Sequence, residues 1–182
     1  DFRFSLKCNS CTGKVFERTD YCPSCGQTMD KSVFSFEIDQ LSKIGKFIEG
    51  TLAEININPL LTRNGQESWE FHHGSSLVRI FVFKTHYLYI TSPLNMLPKE
   101  NINPVLQYIL EDKVAPYKLG VHKNSIYLSY RLYLSDCYSS RAEEVKNNLK
   151  NFLTKADELD NFFVDEYGCE MTNFSKVVEE QL

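Results

Sequence analysis

The chain has 182 residues, of which 42% are hydrophobic and 13% aromatic, so it can bury one ordinary core and carry a small additional module. Its formal charge of −4 is uneven, because residues 140–182 hold ten acidic and five basic side chains while the rest is close to neutral. That balance argues against a nucleic-acid-binding protein, which normally has a basic excess. No apolar run approaches the roughly 20 residues of a membrane span. The opening Asp-Phe-Arg does not resemble a secretion signal, so a cytoplasmic location is expected.

Four cysteines near the start form two pairs ten residues apart, and each pair has two residues between its cysteines. Two thiolates on one tight turn can reach one ion at about 2.3 Å, and a second such turn completes a tetrahedron. The spacing predicts a zinc ribbon over residues 1–31. The predicted ligands are Cys8, Cys11, Cys22 and Cys25. Because four cysteines leave no open coordination position, the Zn²⁺ is predicted to be structural.

The two pairs have alternative interpretations as disulfides or as a redox motif. Disulfides need an oxidising compartment, which nothing in the sequence indicates. A redox pair usually stands alone and begins a helix after a strand, whereas a polar, turn-like stretch follows Cys25. Residues 12–18 read as a short ribbon strand. The near-neutral charge of residues 1–31 favours a protein contact or plain support over nucleic acid.

Apolar periodicity predicts a helix after a linker at residues 28–35. Ser35 is a plausible N-cap, and apolar residues recur at helical spacing from Ile38 to Leu52. A strand is predicted over residues 67–73. A second, short helix is predicted to begin at an Asn103 cap followed by Pro104 and to end before Pro116.

The stretch from Leu77 to Leu134 contains four further strand candidates in two hairpins, rich in β-branched and aromatic residues. In the last strand the side chains alternate between two faces. One face holds Ile126, Leu128, Tyr130, Leu132 and Leu134, and the other holds Tyr127, Ser129, Arg131 and Tyr133. The first face is predicted to be core. The second is too aromatic for plain solvent surface, which indicates a sheet that something else covers.

The longest predicted helix runs from Ser140 to Glu166 and is about 40 Å long. Ser140 and Glu143 match a capping box, and Gly168 is a natural stop. The apolar stripe of this helix most simply covers a sheet face. A dimer or coiled-coil seam is the alternative, although the steps do not keep a heptad.

No recognisable catalytic motif is present in the sequence, so the protein is predicted not to be an enzyme. His72 and His73 are adjacent on a predicted strand and point to opposite faces, which favours one half-buried and one solvated histidine over a shared metal. An enzyme built around either histidine is a weaker hypothesis. Cys137 and Cys169 are predicted to be ordinary free thiols.

The element order resembles the type III secretion chaperone fold, and in particular the related YbjN-type domains. The segments that carry the resemblance are residues 76–83, 87–94, 106–110, 117–121 and 125–134 and the helix over 143–163. The predicted fold class is therefore α+β, with an antiparallel sheet of about five strands in the order α-βββ-α-ββ-α, preceded by the ribbon. The predicted domains are residues 1–31, 36–168 and a C-terminal tail over 169–182.

The resemblance implies a non-enzymatic protein that binds an extended segment of a partner protein, commonly as a dimer. An exposed strand edge and the aromatic face are where such a segment could bind. The candidate partner-binding residues are Tyr87, Tyr89, Tyr127, Arg131 and Tyr133. The alternative for each of them is that this face packs under the chain's own first helix or the ribbon. The alternative is a regulatory protein whose ribbon contacts nucleic acid. A basic patch of Arg3, Lys7, Lys14 and Arg18 would favour that alternative.

Overall fold

A computed structural model of the chain describes residues 2–8, 10–15, 21–28 and 34–172. By its internal contacts the chain divides into two compact units, residues 1–69 and 70–182. Three predictions fall partly outside the described residues. They concern the ribbon strand at 16–18, which includes Arg18, the linker at 29–33 and the tail at 173–182.

The first unit contains a three-stranded antiparallel sheet. Its strands are β1 (Phe2–Cys8), β2 (Lys14–Val15) and β3 (Phe34–Gln40). The central strand is β1, which pairs with β3 along its whole length, from Phe2 opposite Gln40 to Cys8 opposite Phe34. The first cysteine of the ribbon therefore ends a strand that residues 34–40 hold in place.

The predicted start of the first helix is wrong. Ser35 lies within β3, and helix α1 spans Lys43–Glu54. Its N-cap is Ser42, whose hydroxyl accepts a 3.1 Å hydrogen bond from the Gly45 N–H. The sequence carries the signal for the strand, because apolar residues alternate with polar ones at Phe34, Phe36 and Ile38. A period of two indicates a strand, and it takes precedence over the weaker helical spacing of Ile38.

A charged cluster is buried between α1 and the chain that follows it in the first unit. The Arg63 guanidinium binds both carboxylate oxygens of Glu49 at 2.7 Å, and the Trp69 indole N–H donates to the same carboxylate at 3.1 Å. Trp69 is 1% exposed and Glu49 is 8% exposed. The two-pronged geometry offsets the cost of burying the carboxylate and fixes the segment after α1.

The second unit contains a five-stranded antiparallel sheet, except for the first two residues of its first strand, which belong to the first unit. The strands are β4 (Ser68–His73), β5 (Ser76–Phe83), β6 (Tyr87–Met96), β7 (Lys118–His122) and β8 (Ser125–Tyr133). Their order across the sheet is β4-β5-β6-β8-β7. The predicted strands, hairpins and α+β class are confirmed, including the turns at Lys84–Thr85 and Lys123–Asn124, whose residues have positive φ.

Two helices belong to the second unit, α2 (Ile102–Leu110) and α3 (Ala142–Tyr167). Both predicted N-caps are wrong. The N-cap of α2 is Asn101 and that of α3 is Arg141, and neither makes a side-chain capping bond. Pro104 is tolerated because it lies in the first turn, where backbone N–H groups have no helical partner. The predicted stop at Gly168 is confirmed, with φ of 64°.

The inner face of the sheet and the apolar stripe of α3 form the core of the second unit. The largest side chains less than 2% exposed in this unit are Phe152, Phe163, Ile80, Leu88, Ile90, Leu94, Ile126, Leu128 and Leu149. The alternation predicted for the last strand is confirmed from Ile126 to Leu132, all four inward residues being buried. In the described residues no helix is long and apolar enough to cross a membrane.

Candidate metal centre and partner-binding face

The two cysteine pairs lie on turns with the same backbone pattern. In the first turn the Cys8 N–H donates to the Gly13 carbonyl and the Thr12 N–H donates to the Cys8 carbonyl. In the second turn the Cys22 N–H donates to Gln27 and the Gly26 N–H donates to Cys22. Each turn closes an antiparallel pairing, Lys7 with Lys14 in the first and Tyr21 with Thr28 in the second. The two turns therefore have the same backbone hydrogen-bond pattern.

The two turns bring the four sulfur atoms together. The Sγ atoms of Cys8 and Cys25 are 3.8 Å apart, those of Cys11 and Cys22 are 3.7 Å apart, and all four lie within 4.8 Å of one another. These distances are too long for a disulfide, whose sulfurs are about 2.05 Å apart. They match the edge of about 3.8 Å of a tetrahedron whose centre is 2.3 Å from each sulfur. The cluster is therefore compatible with a metal site.

The pKa values of the four thiols move in opposite directions. Burial disfavours the Cys22 thiolate, but hydrogen bonds from the backbone of Ser24 and Cys25 outweigh it and lower the pKa of Cys22 to about 7. Backbone donors similarly lower the pKa of Cys8 against its burial. The Cys25 thiol receives a backbone hydrogen bond from Gln27, yet burial and the three neighbouring sulfurs raise its pKa to about 12. Four ionised sulfurs this close repel one another, so a cation is needed to hold all of them as thiolates.

The apolar core beside these sulfurs is very small. It consists of Cys8, Val15 and Cys22, with Cys11 packed against them. Cys25 is exposed on the outside of the cluster. A bound ion would add to the free energy that keeps the two turns folded, because metal binding at such sites is coupled to folding.

The outer face of the second unit's sheet carries a group of aromatic residues together with Arg131, and we call it the aromatic face. Its members are Phe81, Phe83, Tyr87, Tyr89, Tyr127, Arg131 and Tyr133. Tyr127 lies apart from the others, beyond the row of Thr91 and Ser129. The strand register aligns the others in rows across β5, β6 and β8. One row is Phe83–Tyr87–Tyr133, and the next is Phe81–Tyr89–Arg131. The register thus places Tyr87 and Tyr89 on the same face as Arg131 and Tyr133.

The rings of the aromatic face contact one another within and between these rows. Phe81 stacks on Tyr89 with centroids 5.6 Å apart and planes 7° apart, and Tyr87 contacts Tyr133 at 5.0 Å. The Arg131 guanidinium lies over the Tyr87 ring, 5.5 Å from its centroid. A hydrogen bond with Tyr89 raises the pKa of Arg131 further above its usual range. These contacts hold the side chains in fixed positions on the outer surface.

The structure places the remaining sequence candidates as follows. His72 is exposed and His73 half-buried on β4, as predicted, and His86 and His122 lie at hairpin ends. Cys137 and Cys169 are free and buried, and burial raises the pKa of both thiols, that of Cys137 to about 12. Two aromatic-face residues on β5, Phe81 and Phe83, were not among the predicted site residues. The sequence did carry a signal for them, because Arg79, Phe81 and Phe83 are spaced two residues apart and therefore lie on one face of the strand.

No protein-family model matches the chain, and no curated protein matches it. Among solved structures, a chain in the crystal structure of the Yersinia pestis type III secretion chaperone SycH in complex with a stable fragment of YscM2 superposes with a TM-score of 0.45 and 13% sequence identity. The match covers 61% of this chain and 97% of that chain. Because the superposition is loose and the identity low, we base the function on this chain's own residues.

Proposed function

We propose that this protein is a non-enzymatic, chaperone- or adaptor-like module that binds an extended segment of a partner protein through the aromatic face. The observation that carries the proposal is the register of that face, which aligns aromatic and arginine side chains on three neighbouring strands. Tyrosine and arginine dominate the centres of protein interfaces, because they supply contact area and hydrogen bonds at a modest entropic cost. Tyr87, Tyr89, Tyr127, Arg131 and Tyr133 are the proposed contacts.

One edge of the sheet supports the same mode of binding. In the described residues β7 is the last strand on that side, and because it pairs with residues 125–129 of β8, its outer edge lies on the side of Tyr127. Val121 on β7 is 44% exposed, and a side chain added at Gly120 would meet no atom within 4 Å. An extended segment can add main-chain hydrogen bonds along such an edge while its side chains reach the adjacent face.

The ribbon is proposed to bind one structural Zn²⁺ through Cys8, Cys11, Cys22 and Cys25. The tetrahedral sulfur spacing supports this metal, because zinc is the usual ion of closed four-cysteine sites. The six cysteines form no disulfide in the structure, and a reducing compartment such as the cytoplasm is proposed. We retain as part of the proposal a functional division into a ribbon (1–31), a partner-binding domain (36–168) and a tail (169–182).

A homodimer is also proposed, and helix α2 supports it. Only Val105 is buried on this apolar helix, while Leu110 is 82% exposed and Ile109 is half-buried. Replacing Leu110 with Glu is expected to convert the dimer to a monomer, as measured by light scattering after size exclusion. A wild-type chain that elutes as a monomer at all concentrations would remove this part of the proposal.

The partner-binding proposal is tested by affinity capture from native lysate with a matched pair of tyrosine variants. Tyr133 on the aromatic face is 57% exposed and Tyr21 on the ribbon is 62% exposed, so the two are similar in type and exposure. A protein captured in stoichiometric amount by wild type and by Tyr21→Ser, but lost with Tyr133→Ser, is the expected result. Capture that is insensitive to Tyr133 and lost with Tyr21→Ser would move the binding site to the ribbon.

The second candidate function is a nucleic-acid-associated regulator, and one observation favours it. Lys7 and Lys14 are direct cross-strand partners beside the first cysteine turn, so two cations lie next to each other there. Nuclease treatment of half of the lysate separates the two candidates. Capture that vanishes with nuclease, together with binding that weakens steeply with salt, would favour nucleic acid.

A further inference from the structure

We infer that the partner segment carries a carboxylate, from an aspartate or a glutamate, which binds Arg131, with an apolar residue two positions away that packs on Tyr87 and Tyr133. This inference rests on the proposed function and specifies the chemistry of its partner. It follows from the charge environment of Arg131, from the surface around it and from the spacing of the rows.

The residues that interact electrostatically with the Arg131 guanidinium are tyrosines. In the described part of the chain these are Tyr89, Tyr87 and Tyr133, and none of them supplies a negative charge at neutral pH. The other arginine on this side of the sheet, Arg79, forms an ion pair with Glu70 on the neighbouring strand. The aromatic face therefore presents two cations that lie over its rings, Lys84 over Phe83 and Arg131 over Tyr87. Arg131 also lines a cleft, and in the described residues its electrostatic neighbours include no carboxylate.

A cleft beside Arg131 could accept a short acidic side chain. Its volume is about 270 Å³. It is lined by Tyr87, Arg131 and Tyr133 together with residues at the start of α3. The two carboxylates of the cleft, Asp136 and Glu144, both already bind Arg141, at 3.4 and 3.2 Å. They therefore do not compete for Arg131, and a carboxylate entering the cleft would find an available forked donor.

The row spacing determines the pattern of the segment. Arg131 and Tyr133 lie two residues apart on one face of β8, which is about 6.8 Å along a strand. Residues two apart in an extended segment have the same spacing and face the same way. A carboxylate on Arg131 therefore places the next residue on that side over the pair of rings formed by Tyr87 and Tyr133, which are 5.0 Å apart. An aliphatic or aromatic residue suits that position.

The inference is tested by selecting binders from a library of random twelve-residue peptides with the full-length chain. Wild type is expected to enrich peptides in which Asp or Glu lies two positions from an apolar residue. Arg131→Glu is expected to abolish this acidic preference. It is also expected to weaken the binding of the peptides selected with wild type by about 10-fold or more, because a hydrogen bond to a charged group is lost. Addition of salt is expected to weaken their binding to wild type.

Lys99→Glu is the matched control, because it makes the same charge change in an exposed loop before α2. It is expected to keep the acidic preference. Selection of apolar peptides without acidic preference would overturn the inference and leave the proposed function standing. If wild type enriches no peptide from the library although capture from lysate depends on Tyr133, the inferred peptide chemistry is overturned. Failure of both experiments would overturn the proposed function itself.

Discussion

The cysteine turns and the helix-covered sheet keep their folds by different means. Among the described side chains, those buried beside the turns are Cys8, Val15 and Cys22. The second unit buries side chains from all the central strands and from α3, many of them 0% exposed. The sheet unit gains stability from this buried apolar surface, at roughly 25 cal/mol per Å², whereas the turns are proposed to gain theirs largely from a bound metal.

The difference indicates where each region can carry function. A set of sulfurs that saturates a metal has no position left for a substrate, so the proposed role of the ribbon is structural. In the sheet unit the core lies on the inner face, and the aromatic residues of the outer face are the ones proposed to contact a partner.

The largest expected effect comes from removing the metal or one of its ligands. Cys22→Ser, or a strong chelator, is expected to unfold the two cysteine turns, because metal binding in such modules contributes about 10 kcal/mol or more. Residues 77–134 are expected to remain folded. Hydrogen exchange followed by mass spectrometry measures both regions, and elemental analysis is expected to give one zinc per wild-type chain.

Cys137→Ser is the control for the ligand substitution, because this buried thiol lies outside the four-cysteine cluster. It is expected to leave the zinc content unchanged. Loss of protection across the whole chain after chelation would contradict the independence of the two regions. A wild-type chain without bound metal would contradict the zinc assignment.

The reciprocal change is made in the core of the sheet. Leu128→Ala is expected to destabilise the second unit by about 2–5 kcal/mol, because Leu128 is 0% exposed and its loss leaves a cavity. Zinc content is expected to stay at one per chain. Denaturant unfolding measures the loss, and Ser129→Ala on the opposite face is expected to change stability by no more than about 0.5 kcal/mol. Zinc lost together with sheet stability would mean that the two regions fold as one.

A smaller effect is expected from the residue after the second cysteine of each turn, where one turn has threonine and the other has glycine. Thr12 has φ of 58° and Gly26, at the equivalent position, has φ of 72°. A β-branched residue is strained in this left-handed region by about 1–2 kcal/mol. Thr12→Gly is therefore expected to slow zinc release to a chelator by up to about 10-fold, and Gly26→Thr is expected to accelerate it. Equal release rates in both variants would contradict the equivalence of the turns.

The order of elements in the second unit could be predicted from sequence because its strands alternate strictly and its hairpins have short turns. The four cysteines could be identified because their spacing reflects the geometry of one ion. The pairing of β1 with β3 could not be predicted, because it joins residues more than 25 positions apart and local periodicity contains no information on such partners. Helix caps failed for a related reason. Ser35 has the right chemistry but lies in β3, which pairs with the distant β1, and Ser140 lies one residue before Arg141, the N-cap of α3.

Part of the aromatic face could be identified from the sequence. The alternation in β8 identified Tyr127, Arg131 and Tyr133, but their joining to Phe81 and Phe83 depends on the register of β5 with β6. A shift of one residue would have turned those rings into the core. The charge balance of Arg131 could not be predicted at all, because it depends on side chains brought together from β6, β8 and the start of α3.

The smallest expected effect concerns Asp160, a carboxylate 1% exposed in α3 of the second unit. Burial raises its pKa, and the nearby Asp157 adds to this, although hydroxyl donors from Ser75 and Ser76 act in the opposite direction. In a raised-pKa acid the folded state holds its proton at a pH where the unfolded state has released it. Stability therefore falls as pH rises from the unfolded value near 3.9 through the folded value.

Asp160→Asn is expected to remove this pH dependence, because an amide keeps an oxygen for the two serine hydroxyls and carries no charge to bury. The free energy of unfolding of the variant, measured by urea titration between pH 4 and 7, is expected to exceed that of wild type increasingly as pH rises. Asp165→Asn, at an exposed carboxylate of the same helix, controls for the removal of a negative charge. A variant that is less stable than wild type at pH 7 would mean that the ionised carboxylate stabilises the β4–β5 turn, and that its two serine hydrogen bonds outweigh the cost of its burial.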